Sequence, residues 1–179
     1  MIKVNVLISN KNWKKHIKNP AQYIKRRLNK LNKKEIFFKK RKIEFSLLLS
    51  GKKEIRLGDL SPTRDFNYVT DTCNGLIQLF KSNIEGQAIN IGSNSEISIK
   101  DLFKKIISLM GADVKCISEK ERIRPESSEV YRLLCDNKFI KDTTNFESVV
   151  DLDQGLSSTI KWISEPKNLE IYKSEIYNV

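Results

Sequence analysis

Gly58-Asp-Leu-Ser-Pro-Thr-Arg64-Asp65-Phe66-Asn67-Tyr68-Val69-Thr70-Asp71 is the stretch on which the reading of this 179-residue chain turns. Just upstream, Glu54 to Leu57 is a short strand candidate that stops at Gly58. Asp59 to Asp65 is polar and carries a Ser-Pro pair, the chemistry of a loop. Downstream, Val69, Cys73, Leu76, Ile77 and Phe80 recur at helical intervals and predict a helix over 69–80. A strand, a polar loop and an amphipathic helix in immediate succession are the start of an α/β arrangement.

Working outward, residues 87–91 predict a strand ending at Gly92. Ser98 is placed to cap a helix over 99–110, with Asp101 three residues on and Gly111 where a helix-ending glycine belongs. Residues 114–117 form another short strand candidate. Asp136 can cap a helix running through Lys141, and Asp151 one running through Ile163 before Pro166. From Lys167 to Val179 no period is evident. On the other side of Ser50, Ile2 to Ser9 reads as a strand. A basic helix follows from Trp13, with Ile17, Tyr23, Ile24, Leu28 and Leu31 at helical spacing, and then an apolar strand from Ile43 to Leu49.

Charge separates the two regions. The formal net charge is +11, yet residues 1–50 hold 15 Lys and Arg against only Glu35 and Glu44. The remainder holds 18 basic and 20 acidic residues, so the whole positive excess lies in the first region. Hydrophobic residues at 39% and charged residues at 31% suit a soluble globular protein, and no stretch approaches the ~20 apolar residues of a membrane span. Val4 to Ile8 precedes the basic segment, the reverse of a secretory signal, which predicts a cytoplasmic protein. Cys73, Cys116 and Cys135 are odd in number and far apart, and His16 is the only histidine, so neither a disulfide framework nor a metal site is expected.

The motif from Gly58 to Asp71 resembles the one that opens the substrate-binding half of extended short-chain dehydrogenases acting on sugar nucleotides, the NAD-dependent epimerases and 4,6-dehydratases. Further stretches are similar in the same order. They are Ala88-Ile89-Asn90-Ile91-Gly92, Ile97-Ser98-Ile99-Lys100-Asp101-Leu102, Arg124-Pro125-Glu126-Ser127-Ser128-Glu129-Val130, Asp136-Asn137-Lys138 through Phe146, and Leu152-Asp153-Gln154-Gly155-Leu156 with Thr159-Ile160-Lys161-Trp162. The resemblance covers about 130 residues. It implies that Arg64 and Arg124 face the diphosphate of a nucleoside-diphosphate sugar, where planar guanidinium groups donate paired charge-assisted hydrogen bonds. It also implies that Asp65 shapes the loop and is not a ligand. The competing reading for either arginine is a surface ion pair of little energetic value.

The same resemblance implies NAD in the parent family, bound on a Gly-x-x-Gly-x-x-Gly turn, and a Tyr-x-x-x-Lys acid/base pair. No two of the seven glycines stand three apart. Tyr23 is followed four residues on by Arg27, Tyr68 by Thr72, Tyr131 by Cys135 and Tyr172 by Ile176. No catalytic or cofactor-binding residue is therefore assigned, and no cofactor is expected in this chain.

Residues 1–49, with the strand Ile2–Ser9, the basic helix and the strand from Lys42 to Leu49, resemble the N-terminal part of the YbeY-type rRNA maturation factor, a metal-dependent ribonuclease family. That family's metal site is histidine-rich, and this chain has only His16. The lysine-rich helix is expected to contact RNA phosphates nonspecifically, or else to be a solvated basic face.

The expected fold class is α/β. Residues 1–49 would form an N-terminal basic β-α-β piece. Residues 50–179 would form a C-terminal α/β substrate-binding subdomain of an extended short-chain dehydrogenase, without its Rossmann domain. The function expected is that of an incomplete, catalytically inactive fusion or fragment binding a sugar-nucleotide diphosphate weakly. The alternatives are a basic RNA-contacting module without its metal site, or a chimera with no evolved function. No membrane partner is expected, and self-association through an apolar face uncovered by the missing domain is.

Overall fold

The computed structural model describes residues 6–7, 51, 53–119, 123 and 130–169. The expected strand from Ile43 to Leu49, the basic helix and Arg124 lie outside these residues.

Seven short strands and five helices follow one another in the described residues: β1 (Val6–Leu7), β2 (Glu54–Leu57), β3 (Thr63–Asp65), α1 (Val69–Lys81), β4 (Ala88–Ile89), β5 (Glu96–Ser98), α2 (Ile99–Met110), β6 (Lys115–Ser118), β7 (Arg132–Leu133), α3 (Lys138–Thr143), α4 (Leu152–Ile163) and α5 (Pro166–Leu169). The strand at Glu54–Leu57 and the helices starting at Val69, Ile99 and Leu152 stand where their periodicity placed them. Three corrections follow. The end of the polar loop, Thr63–Asp65, is a strand, because Thr63 donates its backbone N–H to the Tyr131 carbonyl at 2.8 Å. The stretch after Pro166 begins with a short helix, Pro166–Leu169, closed by Asn168 Nδ2 donating to the Trp162 carbonyl at 2.8 Å. The strand expected over 87–91 is only Ala88–Ile89.

The chain forms two compact units, and each is discontinuous in sequence. One takes in Asp65–Ser95 and Leu134–Asp151 as well as β1. In it β1 pairs antiparallel with β4, Val6 opposite Ile89 and Leu7 opposite Ala88. Its core is Leu79, Ile89, Ile91, Ile140 and Phe146, all at most 1% exposed, with Leu76 and Ile84 packed against them. Each such side chain contributes about 1.5–3 kcal/mol on burial.

The second unit takes in the described parts of Phe37–Arg64, Glu96–Leu133 and Leu152–Val179. In it β2 and β6 run parallel, Glu54 opposite Lys115 through Leu57 opposite Ser118. A further sheet has the strand order β5-β3-β7, with β3 and β7 parallel. Helix α2 buries Ile99, Leu102, Phe103 and Ile106, the i, i+3, i+4, i+7 stripe of an amphipathic helix. Its first free N–H groups are used as the sequence pattern predicts. Ser98 Oγ accepts the Asp101 N–H at 3.0 Å and donates to Asp101 Oδ2 at 2.7 Å. The Ile99 and Lys100 N–H groups go to the carbonyls of Pro62 and Leu60. The helix ends at Gly111, whose φ of 60° is the left-handed conformation that glycine adopts without a Cβ penalty. Helix α4 packs on α2, with Lys105 Nζ 2.6 Å from Asp153 Oδ1.

Candidate functional site

The motif from Arg64 to Asp71 spends its polar side chains on tying together segments far apart in sequence. Asp65 is 1% exposed and accepts from Ser93 Oγ at 2.5 Å, the Ser93 N–H at 3.2 Å, the Asn94 N–H at 2.9 Å and the Cys135 N–H at 3.2 Å. Every donor a buried carboxylate needs is thus supplied, three of them from backbone. Asn137, buried beside it, donates to the Gly92 carbonyl at 2.8 Å. Asp71, also 1% exposed, accepts from Ser148 Oγ and the Val150 N–H, both at 3.0 Å. Asn67 Nδ2 donates to Thr72 Oγ1 at 2.8 Å. Asp65 is therefore the loop-shaping residue that its motif implied, and Asp71 and Asn67 do the same for the stretch around Ser148.

Arg64 sits on β3 in the other unit. Its Nη1 donates to the Thr63 carbonyl at 2.7 Å and reaches the Tyr131 carbonyl at 3.4 Å. The side chain is half-buried, and these bonds place its guanidinium at the junction of β3 with the residue that leads into β7. Arg124, the second arginine of the expected pair, lies outside the described residues.

Three polar residues beside Arg64 escaped the sequence reading. Glu96 on β5 accepts from Arg132 on β7 through two nitrogens, Nη2 to Oε1 at 2.7 Å and Nε to Oε1 at 2.9 Å and Oε2 at 3.1 Å. Glu96 Oε2 also accepts from Thr63 Oγ1, on the central strand, at 2.6 Å. The Arg132 hydrogen bonds, followed by that of Thr63, hold the Glu96 carboxyl below the usual glutamate range. The same pairing raises Arg132. No period-2 signal exists in strands of two or three residues, so nothing in the sequence marked these positions as facing neighbours.

Among the described residues no group of three His, Cys, Asp or Glu side chains could hold a metal, and no helix is long and apolar enough to cross a membrane. A groove of about 630 Å³ in the first unit is lined by Lys141 and residues 144–148.

The architecture and the ordered motifs meet in the comparisons with known proteins. Residues 20–159 match the family described as GDP-mannose 4,6 dehydratase. The chain belongs to that family. The match begins at residue 20, inside the region set apart above as an rRNA-factor-like piece, and lends that piece no support. The UDP-N-acetyl-alpha-D-glucosaminuronate decarboxylase of Bacillus cytotoxicus is 31% identical over 122 residues, 67% of this chain and 38% of its own. The UDP-glucuronic acid decarboxylase 1 of Danio rerio is 32% identical over 116 residues, 65% of this chain and 27% of its own. Among solved structures, a UDP-glucuronic acid 4-epimerase of Bacillus cereus, in complex with UDP-4-deoxy-4-fluoro-glucuronic acid and NAD, superposes with a TM-score of 0.60 at 25% identity, covering 72% of this chain and 38% of that one. The chain thus spans less than two fifths of the length of these relatives.

NAD, implied by the family, has no fitting cradle among the described residues. Close backbone approach to a pyrophosphate needs glycines in a strand-to-helix turn. The turn from β3 into α1 is Phe66-Asn67-Tyr68, and β5 passes directly into α2 at Ser98-Ile99.

Proposed function

We propose that this chain supplies the nucleoside-diphosphate-sugar-binding part of an extended short-chain dehydrogenase, with Arg64 and Arg124 donating to the diphosphate and no residue of the chain transferring hydride. The observation that supports the reading is the placement of Arg64: it stands within the family motif on β3, where its Nη1 donates to the Thr63 carbonyl at 2.7 Å. A planar guanidinium can donate paired charge-assisted hydrogen bonds to the oxygens of a diphosphate. The absence of hydride transfer rests on chemistry. The family's acid/base is a tyrosine with a lysine four residues on, and Tyr23, Tyr68, Tyr131 and Tyr172 are followed there by Arg27, Thr72, Cys135 and Ile176. Affinity is expected to be millimolar, about −4 kcal/mol, because contacts from a cofactor domain are not supplied by these residues.

Calorimetric titration of the full chain with UDP-glucuronate tests this. Binding should weaken about tenfold in Arg64→Ala and again in Arg124→Ala. Added NAD should neither shift the melting temperature nor support turnover. Equal affinity in both variants, or NAD-dependent conversion of the sugar, would overturn the reading.

A further inference from the structure

The cluster of Thr63, Glu96 and Arg132 has a geometry that bears on Arg64. The three residues come from the three strands of one sheet, β3, β5 and β7, with β3 in the centre. A carboxylate from one edge strand and a guanidinium from the other meet over the central threonine, so one side chain bridges the whole width of the sheet. Thr63 and Arg132 are direct partners in the β3–β7 register.

The two carbonyls that hold the Arg64 guanidinium belong to the same small frame. One is the carbonyl of Thr63 itself; the other is that of Tyr131, the neighbour of Arg132. The Tyr131 carbonyl also accepts the Thr63 N–H at 2.8 Å. The distance between the Thr63 and Tyr131 carbonyls, both bonded by Arg64 Nη1, therefore depends on how β7 lies against β3. Two-residue strands have too few ladder hydrogen bonds to fix that on their own, and a bidentate arginine–carboxylate pair has the directionality to do so.

We propose that Glu96 is a positioning residue for Arg64: by clamping Thr63 and Arg132 it holds the two carbonyls that aim the Arg64 guanidinium at an anionic ligand. This rests on the reading of Arg64 as a diphosphate ligand. It assigns Glu96 and Arg132 no contact with that ligand. Arg132, although exposed and basic, is committed to the carboxylate and serves the site through β7.

The test uses the full chain with UDP as the probe. UDP affinity and the melting temperature are measured for Glu96→Ala, Arg132→Ala, the charge-exchanged double variant E96R/R132E, and Arg64→Ala. The NMR signal of the Arg64 side-chain Nε–H, identified by its loss in Arg64→Lys, is followed in each. Glu96→Ala and Arg132→Ala should each weaken UDP about five- to tenfold and shift or broaden the Arg64 signal. An exposed pair contributes little to overall stability, so the melting temperature should stay within about 2 °C. The double variant, which restores the clamp with reversed polarity, should recover most of the affinity. Full affinity and an unmoved Arg64 signal in Glu96→Ala, alongside loss of binding in Arg64→Ala, would overturn the positioning role alone. Unchanged affinity in Arg64→Ala would instead overturn the diphosphate reading on which it rests. A large fall in melting temperature in both single variants, with no recovery in the double variant, would show the clamp to be a folding element and would also overturn the proposal.

Discussion

Asp65 and Cys135 are 70 positions apart in sequence, yet the Cys135 backbone N–H donates to Asp65 Oδ2 at 3.2 Å, with both residues buried. The same carboxylate orders Ser93 and Asn94, the latter in the left-handed region at φ 60°. One side chain thus ties the turn after β4 to the backbone at Cys135.

Removing that carboxylate should leave three backbone N–H groups and a hydroxyl without their acceptor in a buried place. Asp65→Ala is expected to cost about 3 kcal/mol or more, read as a fall in the urea midpoint at unchanged slope. Asp65→Asn should cost less but remain destabilising, since one amide nitrogen would then face backbone donors. A midpoint equal to that of the unaltered chain would show that the donors find other acceptors.

Gly92 makes a second, independent demand in the same place. A Cβ there would overlap the Cβ and Sγ of Cys135 and come within 3.1 Å of Asp65 Oδ2. Because the Cys135 Cβ moves only with its backbone, Gly92→Ala should destabilise by about 1–3 kcal/mol through overpacking. Gly111→Ala meets nothing within 4 Å and should lose only about 1 kcal/mol, from its positive φ. Comparing the two in one denaturation series separates close approach from backbone conformation.

Acid should loosen the sheet around Arg64. The Arg132 and Thr63 hydrogen bonds depress Glu96, and the Ser98 hydroxyl, with Lys104 after it, depresses Asp101. A carboxyl whose folded pKa lies below its unfolded value contributes its stabilisation fully above the unfolded value, 4.5 for the glutamate, and loses it as pH falls through the lower folded value. Urea midpoints measured from about pH 7 down to about pH 3 should therefore fall at the acid end, and less steeply in Glu96→Gln. Identical acid limbs would show that Glu96 titrates alike in both states.

The helices were legible because their signals are local. Val69, Cys73, Leu76, Ile77 and Phe80 marked where α1 runs, although the residues it buries are Asp71, Thr72, Gly75 and Leu79 on its other side, and Ser98, Asp101 and Gly111 mark both ends of α2. Strands β3, β5 and β7 were not, because they exist through partners more than 30 residues away: Thr63 pairs with Arg132 and bonds to Glu96. The site followed the same rule. Arg64 was singled out by its motif, but the Thr63–Glu96–Arg132 cluster depends on three strands meeting, and no spacing in the chain records that meeting. The grouping into units was equally hidden, since Arg64 and Asp65 are neighbours in sequence and belong to different ones.

Titration of the isotope-labelled full chain with UDP, followed by heteronuclear NMR, reads anion binding at Arg64 residue by residue. Saturable shifts are expected at Arg64, Thr63 and Tyr131, with a millimolar dissociation constant, and should disappear in Arg64→Ala. Shifts confined to other residues, or the same shifts at Thr63 and Tyr131 when Arg64 is replaced, would contradict it.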